Sequence, residues 1–357
     1  KYTEALALER RDNPFPAVCG RVCTHPCEKE CKRKDVDQPL AIAQLKRFIA
    51  DKEAEDAAFE PAPELTNERV AVIGAGPAGL SCAYFLTKMG YRPTVYEASD
   101  HAGGLLYWAI PKFRLPEKAL QRDITYIQHQ GVEIKTNTAL GKDFHLDDLF
   151  QQDHKAVFLG MGAVREKKMG IPGEDLDGVT LCVEFLRQAV HDKRTPVGKK
   201  VAVVGGGNSA IDAVRTVLRL GAEEACIVYR RSRREMPANE EEILAAEKEG
   251  ITINYLTNPT KILGEGGKVT GMECIRMELG EPDSSGRRRP VPIEGSEFTM
   301  DVDMVIMAIG QSADVSFLLE EKQFELTRWG TLQVDPDTLQ TSIQGIFAGG
   351  DVVTGPA

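Results

Sequence analysis

No stretch of the 357 residues approaches the roughly 18 consecutive apolar positions that cross a bilayer. The charged N-terminus has no signal-peptide core. Aromatic residues are only 6% of the chain and the net charge is −10, a balance unsuited to nucleic acid. No C-x-x-C pair occurs, which removes the usual basis for thiol–disulfide catalysis. The six histidines pair with no convincing carboxylate or metal pattern, so no catalytic acid or base is assigned. These absences lead us to expect a cytoplasmic protein with no nucleic-acid partner and no membrane span. What is present is a hydrophobic fraction of 42%, ample for buried cores, and a length that suggests two to three domains at about 150 residues each.

Two glycine fingerprints stand out. VAVIGAGPAGLS occupies Val70–Ser81 and VAVVGGGNSAID occupies Val201–Asp212. Each is an apolar run that breaks into G-x-G-x-x-G/A and then into a helix-like pattern. The first glycine permits the tight turn off the strand and the second lets backbone approach a pyrophosphate. The third small residue lets the helix pack on its strand. The pyrophosphate then meets the free N–H groups and positive dipole end of the helix. Gly74, Gly76 and Gly79 fill these places in the first loop, with Pro77 and Ala78 between them. Gly205, Gly207 and Ala210 fill them in the second, with Asn208 and Ser209 between. Two such loops in one chain imply two dinucleotides.

The residues after the next strand separate the two. The first unit continues into YRPTVYEAS, and Glu97 lies 23 positions beyond Gly74, suited to ribose hydroxyls. The second continues into ACIVYRRSRRE, and aligning VYEAS on VYRRS puts Arg230 in the place of Glu97. An acid repels a 2′-phosphate, whereas arginine binds it through a fixed fork of donors. The second site is therefore expected to take NADPH, with Arg230 and Arg231 as ligands, and the first a dinucleotide lacking that phosphate.

Cys19, Cys23, Cys27 and Cys31 form C-x3-C-x3-C-x3-C within PFPAVCGRVCTHPCEKECKR. Four thiols so close together are unsuited to core packing, and Pro16, Gly20 and Pro26 argue for loops and short turns that let thiolates converge. Spacing alone fits iron–sulfur or zinc. Beside a flavin the iron–sulfur cluster is favoured, because it accepts single electrons. Cys82, Cys182, Cys226 and Cys274 are scattered in apolar segments and read as small buried hydrophobes.

PFPAVCGRVCTHPCEKEC, VAVIGAGPAGLS, AIPKFRLP, GGGNSAIDAVR and VYRRSRREMPA together resemble the small subunit family of NADPH-dependent glutamate synthase. Its relatives include the N-terminal half of dihydropyrimidine dehydrogenase and the large subunit of ferredoxin–NADP bifurcating oxidoreductases. The resemblance covers nearly the whole chain. It implies an α/β fold with two Rossmann-like dinucleotide-binding domains, an FAD domain split by an inserted NADPH domain, preceded by a small α-helical iron–sulfur domain. It further implies hydride passing from NADPH to FAD, then single electrons through a [4Fe–4S] cluster to a larger redox partner subunit or fused domain. That partner would be the glutamate synthase large subunit, ferredoxin, a hydrogenase or a formate dehydrogenase complex. A thioredoxin-reductase-like flavoprotein shares the split plan but needs the missing C-x-x-C. FAD is implied in the first loop, with Gly104 and Leu105 of HAGGLL, Arg114 of AIPKFRLP, and Gly350 and Asp351 of the closing GGDV as further contacts.

Three features depart from the family. Its cysteines run C-x3-C-x5-C-x3-C and serve two clusters with ligands further upstream. Its usual carboxylate or amide ligand position is held here by Lys46, whose ammonium cannot ligate iron. One cluster on the four cysteines is therefore expected. The family also continues beyond the point matching Ala357, so the chain is expected to be part of a longer polypeptide. The expected boundaries are 1–60 for the helical iron–sulfur domain, 61–172 with 310–357 for the FAD domain, and 173–309 for the NADPH domain. Within them Ile42–Ala58 reads as helix, with apolar positions at Leu45, Phe48 and Ile49. Residues 280–295 read as an exposed hairpin whose Arg287–Arg289 run is a solvated turn.

Overall fold

The computed structural model describes residues 1–53, 59, 62–192, 194–283 and 286–356. It divides into two compact units. The first comprises residues 1–107, 112–165 and 312–357, and the second residues 108–111 and 166–311. The second unit is thus an insertion in the first. Part of the expected helix and linker, at 54–58 and 60–61, lies outside the described residues.

The first unit opens with short helices, α1 (Tyr2–Arg10), α2 (Pro16–Val22), α3 (Pro26–Lys29) and α4 (Ile42–Asp51). They are too short to build a core alone, and α2 packs on α4 and on α7 (Glu117–His129), which follows α6 (Leu105–Trp108). Of the apolar positions expected along α4, Leu45 and Phe48 stay exposed and Ala50 is the buried one. The sheet strands are β1 (Arg69–Ile73), β2 (Arg92–Tyr96), β3 (Glu133–Lys135) and β4 (His154–Leu159). Helix α5 (Pro77–Lys88) links β1 to β2, and α8 (Leu146–Gln151) precedes β4.

The second unit holds β5 (Val179–Leu181), α9 (Cys182–His191), β6 (Lys200–Val204), α10 (Asn208–Arg219), β7 (Glu224–Tyr229), α11 (Glu240–Lys248) and β8 (Thr252–Tyr255). An antiparallel sheet follows, of β9 (Thr257–Glu265), β10 (Lys268–Pro282), β11 (Arg288–Pro292) and β12 (Phe298–Met300). Strand β13 (Met304–Met307) completes the unit. The chain then returns to the first unit through α12 (Ser316–Glu321), β14 (Ile346–Ala348) and α13 (Asp351–Thr354).

Both parallel sheets have five strands and one plan. The first runs β3-β2-β1-β4-β14 and the second β8-β7-β6-β13-β5. Each glycine-loop strand is therefore central, and each is a continuous apolar run because both faces are buried. Val72 pairs with Val95 across the first sheet, and Val203 with Ile227 across the second. In such sheets ligands bind beyond the carboxyl ends of the strands, where both glycine loops lie.

Candidate functional site

In the first unit the residues singled out from sequence converge on one loop. Gly74 turns at φ 96°, and a Cβ there would meet the Gly160 carbonyl oxygen at 2.8 Å. A Cβ on Gly79 would lie 1.9 Å from the Gly74 oxygen, so only glycine lets α5 approach β1 this closely. Pro77 begins α5 with its ring preset for the helix, and no side chain caps the Gly76 end. A Cβ on Gly104 would sit 2.9 Å from Gly76 Cα, and one on Gly350 2.7 Å from Ala78 Cβ. The HAGGLL turn and the start of α13 thus both crowd the loop. Asp351 is half-buried there, and burial raises its carboxyl pKa. Leu105 begins α6, and Arg114 is half-buried ahead of α7. His101, beside this turn, stacks on Tyr107 at 4.4 Å.

Glu97 folds back on the loop. It accepts from Ala75 N–H at 2.8 Å, Ser99 N–H at 2.9 Å and Ser99 Oγ–H at 2.7 Å. An uncapped helix end, a glycine cradle and a carboxylate anchored at the end of β2 fit a dinucleotide: the helix for pyrophosphate, the acid for ribose hydroxyls.

The second loop repeats the cradle with other fittings. Gly205 turns at φ 146°, and a Cβ there would meet the Ala308 carbonyl oxygen at 2.1 Å. Gly207 faces only Ser209 Oγ, at 3.9 Å, and again no side chain caps the helix. Ala210 is fully buried. Asn208 Oδ1 accepts the Asn239 N–H at 2.9 Å, and the Ser209 carbonyl accepts from Cys182 Sγ at 3.4 Å. The side chain of Asn208 and the backbone of Ser209 therefore tie the loop to the rest of the unit. The Tyr229 ring lies so close that a Cβ on Gly206 would come within 2.5 Å of it. Arg230, the next residue, is exposed at the end of β7 and makes no hydrogen bond or ion pair among the described residues. Arg231 does not stand beside it as an equal ligand. Its guanidinium is buried, with Nε donating to the Arg288 carbonyl at 2.8 Å and Nη2 to Asp283 Oδ2 at 2.7 Å.

The four front cysteines are placed one by one rather than as a set. Cys19 lies in α2 and Cys23 caps its end, one turn on. Left-handed His25, φ 40°, breaks the chain before α3, which carries Cys27, and Cys31 precedes a 3-10 turn. Burial, with the neighbouring Cys23, pushes the Cys19 thiol up to about 11. Backbone N–H groups, that of Leu40 first, lower the pKa of Cys31, and the His25 N–H donates to Cys23 Sγ at 3.3 Å. Such N–H···S bonds suit thiolate ligands. Among the described residues no group of three or more His, Cys, Asp or Glu side chains is gathered to hold a metal ion. The donor chemistry fits an iron–sulfur cluster, then, while the sulfurs are not drawn into one set. Lys46 sits near this pair: its Nζ is 3.4 Å from Glu9 Oε1, and its charge acts on Cys19 and Cys23. His25 Nδ1 faces Glu28 Oε2 at 3.2 Å.

Sequence reasoning missed Asp123. This fully buried carboxylate on α7 accepts from Val18 N–H at 3.0 Å and Ala17 N–H at 3.4 Å, holding the start of the Cys19 helix. Around it Arg10 pairs with Glu53 at 2.7 Å and lies 3.8 Å over the Tyr126 ring, and Tyr84 Oη donates to the Arg10 carbonyl at 2.6 Å. Nothing local marks Asp123, whose partners are 105 and 106 positions away. In the second unit burial pushes Cys226 and Cys274 up to about 11 and 12, which leaves both as protonated, unreactive thiols.

Comparison with known proteins identifies both parts. Residues 68–357 match the family described as Pyridine nucleotide-disulphide oxidoreductase, and residues 1–58 that of Dihydropyrimidine dehydrogenase domain II, 4Fe-4S cluster. The chain is 46% identical to the NADP(+)-dependent formate dehydrogenase subunit beta of Moorella thermoacetica, over 99% of its own length and 54% of that protein. It thus spans little more than half of that relative. It is 38% identical to the glutamate synthase [NADPH] small chain of Escherichia coli, over 99% of its own length and 78% of that chain. The structure of Mycobacterium tuberculosis FprA in complex with NADPH shares the fold, with a TM-score of 0.68 at 19% identity over 82% of this chain and 80% of that one. No helix among the described residues is long and apolar enough to cross a membrane.

Proposed function

The chain belongs to the pyridine nucleotide-disulphide oxidoreductase family, alongside the glutamate synthase small chain, and from that premise we propose an NADPH-dependent flavoprotein that delivers electrons to a larger partner. FAD belongs at Gly74–Gly79, with Glu97, Gly104, Leu105, Arg114, Gly350 and Asp351 around it. NADPH belongs at Gly205–Ala210 with Arg230. A [4Fe–4S] cluster belongs on Cys19, Cys23, Cys27 and Cys31. When bound, these groups supply hydride exchange and single-electron exit.

The chain's own residues bind and orient. The uncapped N-termini of α5 and α10 offer N–H groups to pyrophosphate. Glu97, already fixed by three hydrogen bonds, presents a carboxylate to ribose. Cys23 and Cys31 are stabilised as thiolates by backbone N–H donors. The observation that carries the reading is the contrast at the ends of β2 and β7, where an anchored acid in one unit answers to an exposed arginine in the other.

The larger identity to the formate dehydrogenase subunit favours a partner of that kind over the glutamate synthase large subunit. A cytoplasmic setting suits either. Anaerobic titration of the flavin-loaded protein tests the reading: NADPH should bleach the flavin at concentrations at least about tenfold below NADH, a difference near 1.4 kcal/mol. Equal response to the two would overturn it.

A further inference from the structure

The hairpin between β10 and β11 belongs to no part of the electron-transfer scheme, and its turn was expected to be solvated. Its placement is otherwise. The turn is closed by its own backbone: Asp283 N–H donates to the Arg287 carbonyl at 2.8 Å, and Gly286 N–H to the Asp283 carbonyl at 2.9 Å. Arg231, next to Arg230, is clamped onto this turn through Asp283 and the Arg288 carbonyl. Arg288 itself donates Nε to the Gly280 carbonyl at 3.1 Å and so remains within the hairpin. Arg287 is half-buried, and its charge acts on both Tyr229 and Arg230.

The charged groups that act on Arg230 are Arg231, Arg287 and Asp283, together with the Tyr229 hydroxyl. Three guanidiniums therefore share one carboxylate, and Asp283 is already paired with Arg231. Partial burial and the like charges of Arg231 and Arg287 lower the Arg230 pKa, which marks a place short of negative charge. The place is next to the dinucleotide loop, because the Tyr229 ring covers Gly206 and Gly205 N–H donates to the Val228 carbonyl at 3.0 Å. An anion at the end of β7 would answer that imbalance, and a dianionic phosphate suits two forks of guanidinium donors.

We propose that the β10–β11 hairpin completes the 2′-phosphate site of the second unit, with Arg287 as a second specificity residue beside Arg230 and with Asp283 and Arg231 as positioning residues that hold the hairpin there. This inference rests on the NADPH reading and adds to it a contact from a segment 57 positions downstream of Arg230.

Calorimetric binding of NADP+ and NAD+ to the flavin-loaded, full-length protein tests it without turnover. Arg287→Ala should weaken NADP+ by about tenfold or more and leave NAD+ within about twofold, as expected for loss of one charge-assisted contact to phosphate. Arg287→Lys should recover part of the loss. Asp283→Asn should weaken NADP+ by about threefold with NAD+ unchanged, since it loosens the clamp but removes no phosphate ligand. If Arg230→Ala abolishes the NADP+ preference while Arg287→Ala keeps it whole, the hairpin role is wrong and the NADPH reading stands. A parent protein that binds NADP+ and NAD+ equally refutes both. Equal weakening of the two nucleotides by Asp283→Asn would reduce the hairpin to a structural element and overturn the proposal.

Discussion

The two glycine-loop units share a strand order and a loop geometry, yet they treat the residue after the second strand in opposite ways. Glu97 is absorbed by its own loop through three hydrogen bonds. Arg230 has none among the described residues. The cause is the chemistry of the loop. A turn into a helix N-terminus presents N–H donors, which satisfy a carboxylate and can do nothing for a guanidinium. An acid at this place anchors itself. A cation must be steadied from elsewhere, and the second unit carries an additional antiparallel sheet whose hairpin reaches that point. Divergence of one residue in a repeated design therefore goes with a new element outside the repeat.

The sharpest way to break the comparison is at the third loop position. Gly79→Ala puts a methyl 1.9 Å from the Gly74 oxygen and must push α5 off β1, at about 3 kcal/mol or more. We expect flavin content to collapse and the first unit to melt early. The second unit already holds Ala210 there, and Ala210→Gly should lower stability by only about 0.5–1 kcal/mol, through chain entropy. Retained flavin in Gly79→Ala would show that the close approach seen at Gly79 is not required.

The units should also part company with pH. Burial pushes Asp123 in the first unit up to about 7 from an ordinary 3.8, against the pull of its two N–H donors. A raised carboxyl pKa means that the folded state holds a proton the unfolded chain releases. Its contribution is complete below pH 3.8 and falls as pH rises towards about 7, by perhaps three units' worth, about 2–4 kcal/mol. Glu249 in the second unit behaves in reverse. Arg219 and Arg215 hold it down to about 2 from 4.5, so its contribution is present above pH 4.5 and lost as pH falls towards 2. Partial exposure reduces that to about 1–2 kcal/mol. Hydrogen exchange resolved by unit should find the first unit weakening between pH 4 and 7 while the second holds, and the second weakening below pH 4.5. Asp123→Asn should flatten the first slope and Glu249→Gln the second.

How much of this was legible in the sequence follows the range of each interaction. The loops were, because a buried strand, a positive-φ glycine and a helix start are local requirements: Gly74 and Gly205 turn at φ 96° and 146°. The hairpin at 280–295 was also legible, and β10 and β11 form it with Met277 opposite Pro292. Its Arg287 is half-buried instead of solvated, and Arg231 is a structural clamp instead of a first-rank ligand, because the partner of Arg231 is 52 positions away and leaves no local trace. Asp123 was invisible for the same reason. The cysteine spacing was plain, but left-handed His25 and the breaks around Pro26 decide where each sulfur points, and spacing does not encode them. Along α4 the apolar periodicity predicted burial that Leu45 and Phe48 do not have.

The gentlest probe of the comparison is the second glycine of each loop. Gly76 has φ −78° and Gly207 φ −85°, which any residue adopts. A Cβ on Gly76 would meet only Gly104 Cα at 4.0 Å, and one on Gly207 only Ser209 Oγ at 3.9 Å. Nothing in the protein opposes a methyl at either place, so Gly76→Ala and Gly207→Ala should shift stability by less than about 1 kcal/mol, the N-cap preference for glycine over alanine. Glycine is then called for by what approaches the loop from outside. Each variant should lose its own nucleotide and keep the other: Gly76→Ala low in flavin with NADP+ binding intact, Gly207→Ala full of flavin with NADP+ binding weakened. The assay is flavin content and NADP+ calorimetry on both. A variant that binds both nucleotides as the parent does would mean that pyrophosphate does not contact that loop, and the pairing of FAD with β1–α5 and NADPH with β6–α10 would have to be redrawn.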